Sequence, residues 1–361
     1  MANDFKHKIR RLELENFTCF SKVELDFSLG INVFIGENGT GKTHLLKGLY
    51  FLRYASEYGS RNENSNLNEL FGLRFHNNQL VRNNQDESNI IYHHDDELIE
   101  AKINFKRTNP DVSGLFSNLN TSQNSNSSKR LESIKHIFLP VQEMLSWYKG
   151  FSVLYRQRFI SFDRTYLDLA DALGLAEFRD KNFNGIAPLL SMIEEAIGGT
   201  VELGEDDNFY IVFKENQRRN QATVVATGIN KLAQILRLIH NGSLDKNTVL
   251  FWDEPTANLN PKYIKTVAKF LQALANAGCQ IFISTHDYLL TQLLSLTSEY
   301  KNDESDLPNI KFFALYHTDD GTKIETGNTL ADIEHDSIVE EYAKVYDLEQ
   351  QLFSETLITK A

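Results

Sequence analysis

Cysteine is scarce in this chain: two in 361 residues, Cys19 and Cys279. They stand far apart, each beside apolar residues, which leaves little room for a disulfide framework or a cysteine metal site and suits small core hydrophobes. No apolar run is long enough to span a bilayer, so no membrane association is expected. The first residues, Met1-Ala2-Asn3-Asp4-Phe5-Lys6, lack the charged-then-apolar order of a secretory signal, and a cytoplasmic protein is expected. An excess of positive charge is also missing. With 37 Lys and Arg against 49 Asp and Glu, the net charge of −12 argues against a protein that coats nucleic acid with its whole surface. Two local basic clusters remain, Lys6, Lys8, Arg10, Arg11 and Lys214, Arg218, Arg219. Solvated strand or hairpin edges account for both, and a nucleic-acid contact stays open as the alternative. A hydrophobic fraction of 41% and a charged fraction of 24% are ordinary for a globular protein.

What is present is organised around Gly36-Glu37-Asn38-Gly39-Thr40-Gly41-Lys42-Thr43, which fits the phosphate-binding P-loop pattern at every fixed position. The apolar run Ile31, Val33, Phe34, Ile35 before it predicts a buried strand, and Leu45, Leu46, Leu49, Tyr50 after it carry helical spacing, expected to run to about Tyr58. Strand, glycine loop and helix are the context the pattern needs. Backbone N–H groups of Gly36, Asn38, Gly39, Thr40 and Gly41, with the start of the helix at Lys42, Thr43 and His44, would surround the phosphates of ATP. Lys42 would neutralise the β and γ phosphates, and the Thr43 hydroxyl would ligate Mg²⁺.

A second pattern lies far downstream. Thr248-Val249-Leu250-Phe251-Trp252 predicts a buried parallel strand, and it ends in Asp253-Glu254-Pro255. An apolar strand closed by two acids is the Walker B arrangement: Asp253 would hold the Mg²⁺ shell, and Glu254 would orient or deprotonate the attacking water. The helix expected over Lys262 to Ala277 has Ile264, Val267, Phe270, Leu271 and Leu274 on one stripe, and Gln280 to Asp287 predicts another buried strand with His286 at its carboxyl end.

Period-two alternation from Lys8 to Phe27 predicts a hairpin leading into the P-loop strand. The order Ile9, Leu12, Asn16, Phe17, Phe20, Leu25, Phe27, Gly36, Asn38, Gly39, Gly41, Lys42 resembles the amino-terminal lobe of ABC-class ATPases of the RecF, SMC and OLD type. The resemblance implies an α/β fold: a mainly parallel, helix-covered sheet, an antiparallel N-terminal sheet, and a helical insertion. It puts Asn16 and Phe17 within reach of ribose or base, although Phe17 and Phe20 equally suit core positions. It gives Gln142, in the Val141-Gln142-Glu143 end of the strand Ile134 to Pro140, the role of reaching Mg²⁺ and the attacking water, with Glu143 the competing residue and an ordinary helix-start polar side chain the plainer reading. Ala226-Thr227-Gly228-Ile229-Asn230 resembles the signature segment, usually Leu-Ser-Gly-Gly-Gln; Thr227 stands for the serine and Gly228 for the first glycine, while Ile229 and Asn230 depart. A hydroxyl, a glycine backbone and a helix N-terminus still supply donors for a γ-phosphate. His286 is expected to contact that phosphate.

Three regions are expected: residues 1–58, the amino-terminal lobe; 59–200, an insertion of polar loops, the Gln142 strand and a helical arm; and 201–361, the carboxyl-terminal lobe. Tyr166, Leu169, Leu173 and Leu189, Ile193, Ile197 carry the arm's helical periods, closed by Gly198-Gly199. Leu203 to Phe213 and Ala222 to Val225 predict a hairpin. Residues 107 to 128 are mostly Ser, Asn and Thr, and His93-His94-Asp95-Asp96-Glu97 suits a polar turn better than a metal site, since neighbours on a strand point to opposite faces. The arm is too short and too poor in heptads for an SMC coiled coil, and no acidic triad or glycine-glutamate block of a TOPRIM nuclease follows His286. The resemblance therefore implies an ATP hydrolase that pairs head-to-tail through two composite ATP sites, with higher assembly open. The expected use is as the sensing subunit of a prokaryotic anti-phage system that controls a separate nuclease or toxin. A RecF-like DNA-repair role and a nucleotide-locked scaffold are the alternatives.

Overall fold

A computed structural model of the chain describes residues 8–53, 69–73, 80–94, 100–106, 135–177, 186–300 and 308–359. The alternating stretch at the start forms β1 (Ile9–Phe17) and β2 (Phe20–Asp26), joined through Thr18 and Cys19 and paired antiparallel from Arg11↔Asp26 to Phe17↔Phe20. Then come β3 (Ile31–Gly36) and α1 (Lys42–Tyr50), shorter than the expected helix; Leu52 and Arg53 continue helically, and the rest of that expectation lies outside the described residues. Strands β4 (Glu87–His94) and β5 (Glu100–Lys106) extend the first sheet to the order β2-β1-β4-β5, and β6 (Lys135–Leu139) joins the central one.

Three helices follow, α2 (Phe151–Arg156), α3 (Arg164–Leu173) and α4 (Ala187–Ile197), the last stopped by Gly198 in the left-handed conformation; Leu167, Leu169, Leu173, Leu189 and Ile193 pack into the main core. Strands β7 (Gly199–Leu203), β8 (Phe209–Phe213) and β9 (Arg219–Gln221) make a small antiparallel sheet. This corrects the expected two-strand hairpin. The Asp206 carboxylate accepts from Asn208 and the Tyr210 hydroxyl, closing a turn inside the first predicted strand, and Ala222–Val224 forms a 3-10 turn instead of a strand. The remaining elements are α5 (Thr227–His240), β10 (Thr248–Asp253), α6 (Ile264–Asn276), β11 (Gln280–Ser284), α7 (Tyr288–Glu299), β12 (Ile310–Thr318), β13 (Gly321–Gly327) and α8 (Ser337–Thr359).

The central sheet has the order β13-β12-β3-β11-β10-β6 and is parallel except for β13. Its inner strands β3, β10 and β11 are buried on both faces, which is why they read as continuous apolar runs. Side-chain alternation divides the core in two. Phe34, Phe138, Phe251, Phe282 and Phe313 face α1 and the first sheet, with Phe251 stacked on Phe282 at 5.2 Å; Val33, Leu139, Trp252 and Ile283 face the helices α5 and α6 on the other side. Because β3, β6, β10 and β11 run the same way, their carboxyl ends, Gly36, Leu139, Asp253 and Ser284, emerge on one edge. That edge is where the sequence patterns converge.

Among the described residues, no helix is long and apolar enough to cross a membrane. The basic clusters are mostly neutralised: Arg11 pairs with Glu13, Glu24 and Asp26, Lys214 with Glu194, and Arg219 with Glu202, while buried Lys8 donates to the Leu29 carbonyl. His93 meets Glu13 at 3.1 Å; Asp95 to Glu97 and Lys6 lie outside the described residues.

Candidate nucleotide site on the sheet edge

The P-loop wraps the start of α1. Gly41 caps the helix at φ 96°, and a Cβ there would lie 2.5 Å from the Cys19 Sγ, so glycine is required both by the left-handed backbone and by the approach of the β1–β2 turn. Thr40 is buried with its hydroxyl donating to the Glu37 carbonyl at 2.8 Å, while Asn38 and Gly39 form the exposed crest. The Lys42 ammonium donates to the Gly36 and Glu37 carbonyls at 2.8 and 2.9 Å, which holds it on the inner side of the loop. Burial lowers its pKa, against the opposing pull of the Glu254, Asp253 and Glu37 carboxylates. His44 is exposed, its ring edge-on to Phe71 at 5.5 Å.

Walker B stands directly beside the loop. The Thr43 hydroxyl donates to the Asp253 Oδ2 at 2.9 Å, and the other carboxylate oxygen accepts from the Ser284 hydroxyl at the end of β11. Ser284 was not singled out by sequence; its signal is only its position before Thr285-His286. Glu254 follows at φ 50°, a left-handed conformation that costs a non-glycine residue about 1 kcal/mol or more. Its N–H donates to the Ser284 carbonyl at 2.9 Å, and its carboxylate meets the His286 Nδ1 at 2.8 Å. His286 is otherwise exposed. Thus Lys42, Thr43, Asp253, Glu254 and His286 come from three parallel strand ends and form one cluster.

Gln142 is exposed just past the end of β6, the strand adjacent to β10. Glu143 points elsewhere: it is buried, and its carboxylate accepts from the Ser146 backbone at 3.2 Å and hydroxyl at 2.5 Å. It caps a turn. Phe17 is fully buried with its ring edge-on to Phe71, so the core alternative holds for it; Asn16 is half-buried at φ 52° beside the β1–β2 turn. A polar cleft of about 620 Å³ opens next to that turn, lined by Thr18, Cys19, Arg82, Asn84, His317 and Gly321 among others. Sequence reasoning missed Arg82 and His317, which topology alone brings to the P-loop side. The His317 ring lies 3.9 Å from where a Gly39 Cβ would be.

Thr227 stands apart from this cluster. It is exposed in the first turn of α5, next to exposed Ala226 and Val224, and its hydroxyl has no hydrogen-bond partner among the described residues. Gly228 is buried, and a Cβ on it would be 2.6 Å from the Asn258 carbonyl, so glycine lets α5 press on the loop after Walker B. One turn on, Lys231 is buried and donates to the Glu254 carbonyl at 2.6 Å and the Ala257 carbonyl at 3.3 Å. Burial brings its pKa down to about 8 despite the nearby Glu254 and Asp253 charges. Asn230 donates to the Ser146 hydroxyl at 3.0 Å and the Ala222 carbonyl at 2.8 Å, and Gln234 accepts from the Met144 N–H at 3.1 Å. The signature departure at Asn230 therefore has a structural reason: it ties α5 to the turn after Gln142.

This fold and this edge are those of a P-loop ATPase of the ABC class. Residues 31–291 match the family described as "AAA domain, putative AbiEii toxin, Type IV TA system", and the chain belongs to that family. Its fold is that of the P-loop ATPases, with the mixed sheet of an SMC head. Over 73 residues it is 38% identical to the DNA replication and repair protein RecF of Streptococcus uberis, a stretch covering 20% of this chain and 19% of that protein. Over 59 residues it is 37% identical to RecF of Bacteroides fragilis, covering 16% of each. The chain thus spans about a fifth or less of the length of these curated relatives. Among solved structures it resembles an Smc head bound to the C-terminal winged-helix domain of ScpA, with a TM-score of 0.55, 16% identity, and coverage of 88% of this chain and 97% of that one. That likeness is one of fold.

Proposed function

We propose that two copies of this chain close head-to-tail on ATP and Mg²⁺, hydrolyse the ATP, and separate. In each site Lys42 and the P-loop N–H groups hold the β and γ phosphates, and Glu254 takes the proton of the attacking water. His286, linked to Glu254, reaches the γ-phosphate, and Gln142 orients the water. Thr43 and Asp253 already bring a hydroxyl and a carboxylate oxygen to 2.9 Å, a hard-oxygen donor pair that fits a magnesium ion. Held by Thr43 and Asp253, such an ion would neutralise charge developing on the β- and γ-phosphate oxygens. The nucleoside extends into the cleft beside the β1–β2 turn, flanked by Asn16, Cys19, Arg82 and His317.

One observation carries this reading. The residues for binding and hydrolysis cluster in one chain, while exposed Thr227, at a helix N-terminus with free donor capacity, is turned to solvent. It completes the site of a second copy. The left-handed Glu254 and its contact with His286 support a hydrolase over a nucleotide-locked scaffold.

Pairing and release make a switch, and the use we infer for it is sensing in a prokaryotic anti-phage system, with a separate nuclease or toxin as effector. A family description that mentions a toxin and a toxin–antitoxin system is compatible with this. The RecF match of 73 residues favours a second reading, DNA repair. Against it stand the net charge of −12 and the internally paired basic clusters. Light scattering of Glu254→Gln with ATP and Mg²⁺ tests the pairing: the variant is expected at twice the monomer mass, with hydrolysis reduced by about 10²- to 10⁴-fold. A variant that stays monomeric contradicts the composite site. Salt-dependent DNA binding by the purified protein would favour repair.

A further inference from the structure

The last helix, α8, leaves a row of large apolar side chains uncovered. Tyr342, Val345, Tyr346, Leu348, Leu352 and Phe353 are each more than half exposed, Phe353 at 62%. At 1.5 Å per residue the 23-residue helix is about 34 Å long, and from Glu340 to Glu355 every residue is exposed. Its base is fixed on the rim of the nucleotide site. Tyr342 stacks on Tyr288, two residues past His286, at 4.1 Å between ring centroids, and Lys344 lies within electrostatic range of Glu37 in the P-loop.

A second uncovered patch lies at the other end of the edge. Trp147, Val153, Leu154 and Phe159, on and around α2, are exposed, Phe159 at 75%. This patch adjoins the signature segment, because Ser146, next to Trp147, bonds to both Asn230 and the Ala222 carbonyl. Its charge is opposite to that of α8. From Met144 to Phe162 the only charged residues are Lys149, Arg158 and Arg156, the last paired with Asp171, whereas Glu340 to Glu355 carries Glu340, Glu341, Asp347, Glu349 and Glu355 against Lys344 alone.

We propose that α8 of each copy docks on the Trp147–Phe159 patch of the other when the pair closes on ATP. This rests on the head-to-tail reading, which puts the P-loop rim of one copy against the signature edge of its partner and so brings the two patches face to face. Within one chain they do not meet, since both are exposed. Aromatic anchors at the centre with opposite charges around them are the composition of a specific interface. Docking adds a grip outside the nucleotide, so pairing reports both ATP and the position of the last helix.

The test uses sedimentation velocity with ATP and Mg²⁺, with Glu254→Gln as the full-length parent. Leu352→Glu/Phe353→Glu on α8 and Trp147→Glu/Phe159→Glu on the patch should each weaken pairing at least tenfold, while a fluorescent ATP analogue binds the monomers as tightly as the parent. Each variant alone has both docking contacts broken. Mixing the two restores one intact contact per heteropair, so the mixture should pair more tightly than either component, an effect that misfolding cannot produce. Either variant pairing as tightly as the parent, or a mixture no better than its components, overturns the proposal and leaves the composite site standing. A parent that remains monomeric with ATP removes the composite site and this docking together.

Discussion

The carboxyl edge of the central sheet and the amino end of α5 are built on opposite terms. At the edge, three parallel strand ends deliver Lys42, Thr43, Asp253, Glu254 and His286 already bonded to one another or to their loop, with Thr43 and His286 each within 3 Å of an acid. At α5 the interior residues are tied down just as firmly, by Lys231, Asn230 and the tight approach of Gly228, yet Thr227 itself is presented to solvent. A parallel sheet collects side chains in cis at no further cost, because every strand points its carboxyl end the same way. A helix N-terminus aimed outward can act only on something brought to it. The contrast teaches that firm local bonding and completeness are separate properties. Both regions are held by hydrogen bonds and close packing, and on the proposed reading only one of them is complete within a single chain.

The sharpest way to break the comparison is at the complete region. Lys42→Ala should weaken ATP binding about 100-fold, the loss of a charge-assisted contact of about 3 kcal/mol, with the fold intact by circular dichroism. Unchanged affinity in a titration with a fluorescent ATP analogue would remove Lys42 from the phosphate site. A step smaller is Gly228→Ala. Its new methyl carbon must displace the Asn258 carbonyl from 2.6 Å, an overpacking expected to cost about 1–3 kcal/mol and to lower the melting temperature by a few degrees. An unshifted melting curve would mean that α5 does not press on the Walker B loop.

The smallest effect concerns Lys231. Its folded pKa is about 8 and its ordinary value 10.5, so between those values the unfolded chain binds more protons. The contribution of this group to stability therefore rises with pH across that window. Lys231→Met removes that rise, so the melting-temperature difference, wild type minus variant, should increase between pH 7.5 and pH 10. A constant difference would show that the lysine is not held neutral by its surroundings.

How legible these regions were follows from the same contrast. The strand ends were readable because apolar runs and short motifs are local: Gly36 to Thr43 and Asp253-Glu254 mark their own positions, and the order of strands did the rest. The first hairpin was readable from its period of two, which the register from Arg11 to Phe17 follows. What sequence could not show were contacts between segments far apart. Asn230 departs from the signature pattern because it bonds to the turn at Ser146, 84 residues away, and the Glu143 carboxylate is taken by that same turn. Arg82 reaches the cleft by Cys19 through the bridge between Phe17 and Val81, and His317 through the hairpin that Thr322 ties to the Cys19 carbonyl, contacts that no local pattern announces. The β7 to β9 sheet was misread because three polar residues, Asp206, Asp207 and Asn208, close a turn inside an apolar alternation.

The claim that one chain lends Thr227 to the ATP of another is tested most directly by mixing two inactive proteins. Lys42→Ala keeps its signature and loses its P-loop; Thr227→Arg does the reverse. Each alone should hydrolyse almost no ATP, and their mixture should recover a substantial fraction of the wild-type rate, because each heteropair contains one intact composite site. A mixture as silent as its components, or a Thr227→Arg protein that hydrolyses ATP normally on its own, would contradict the account.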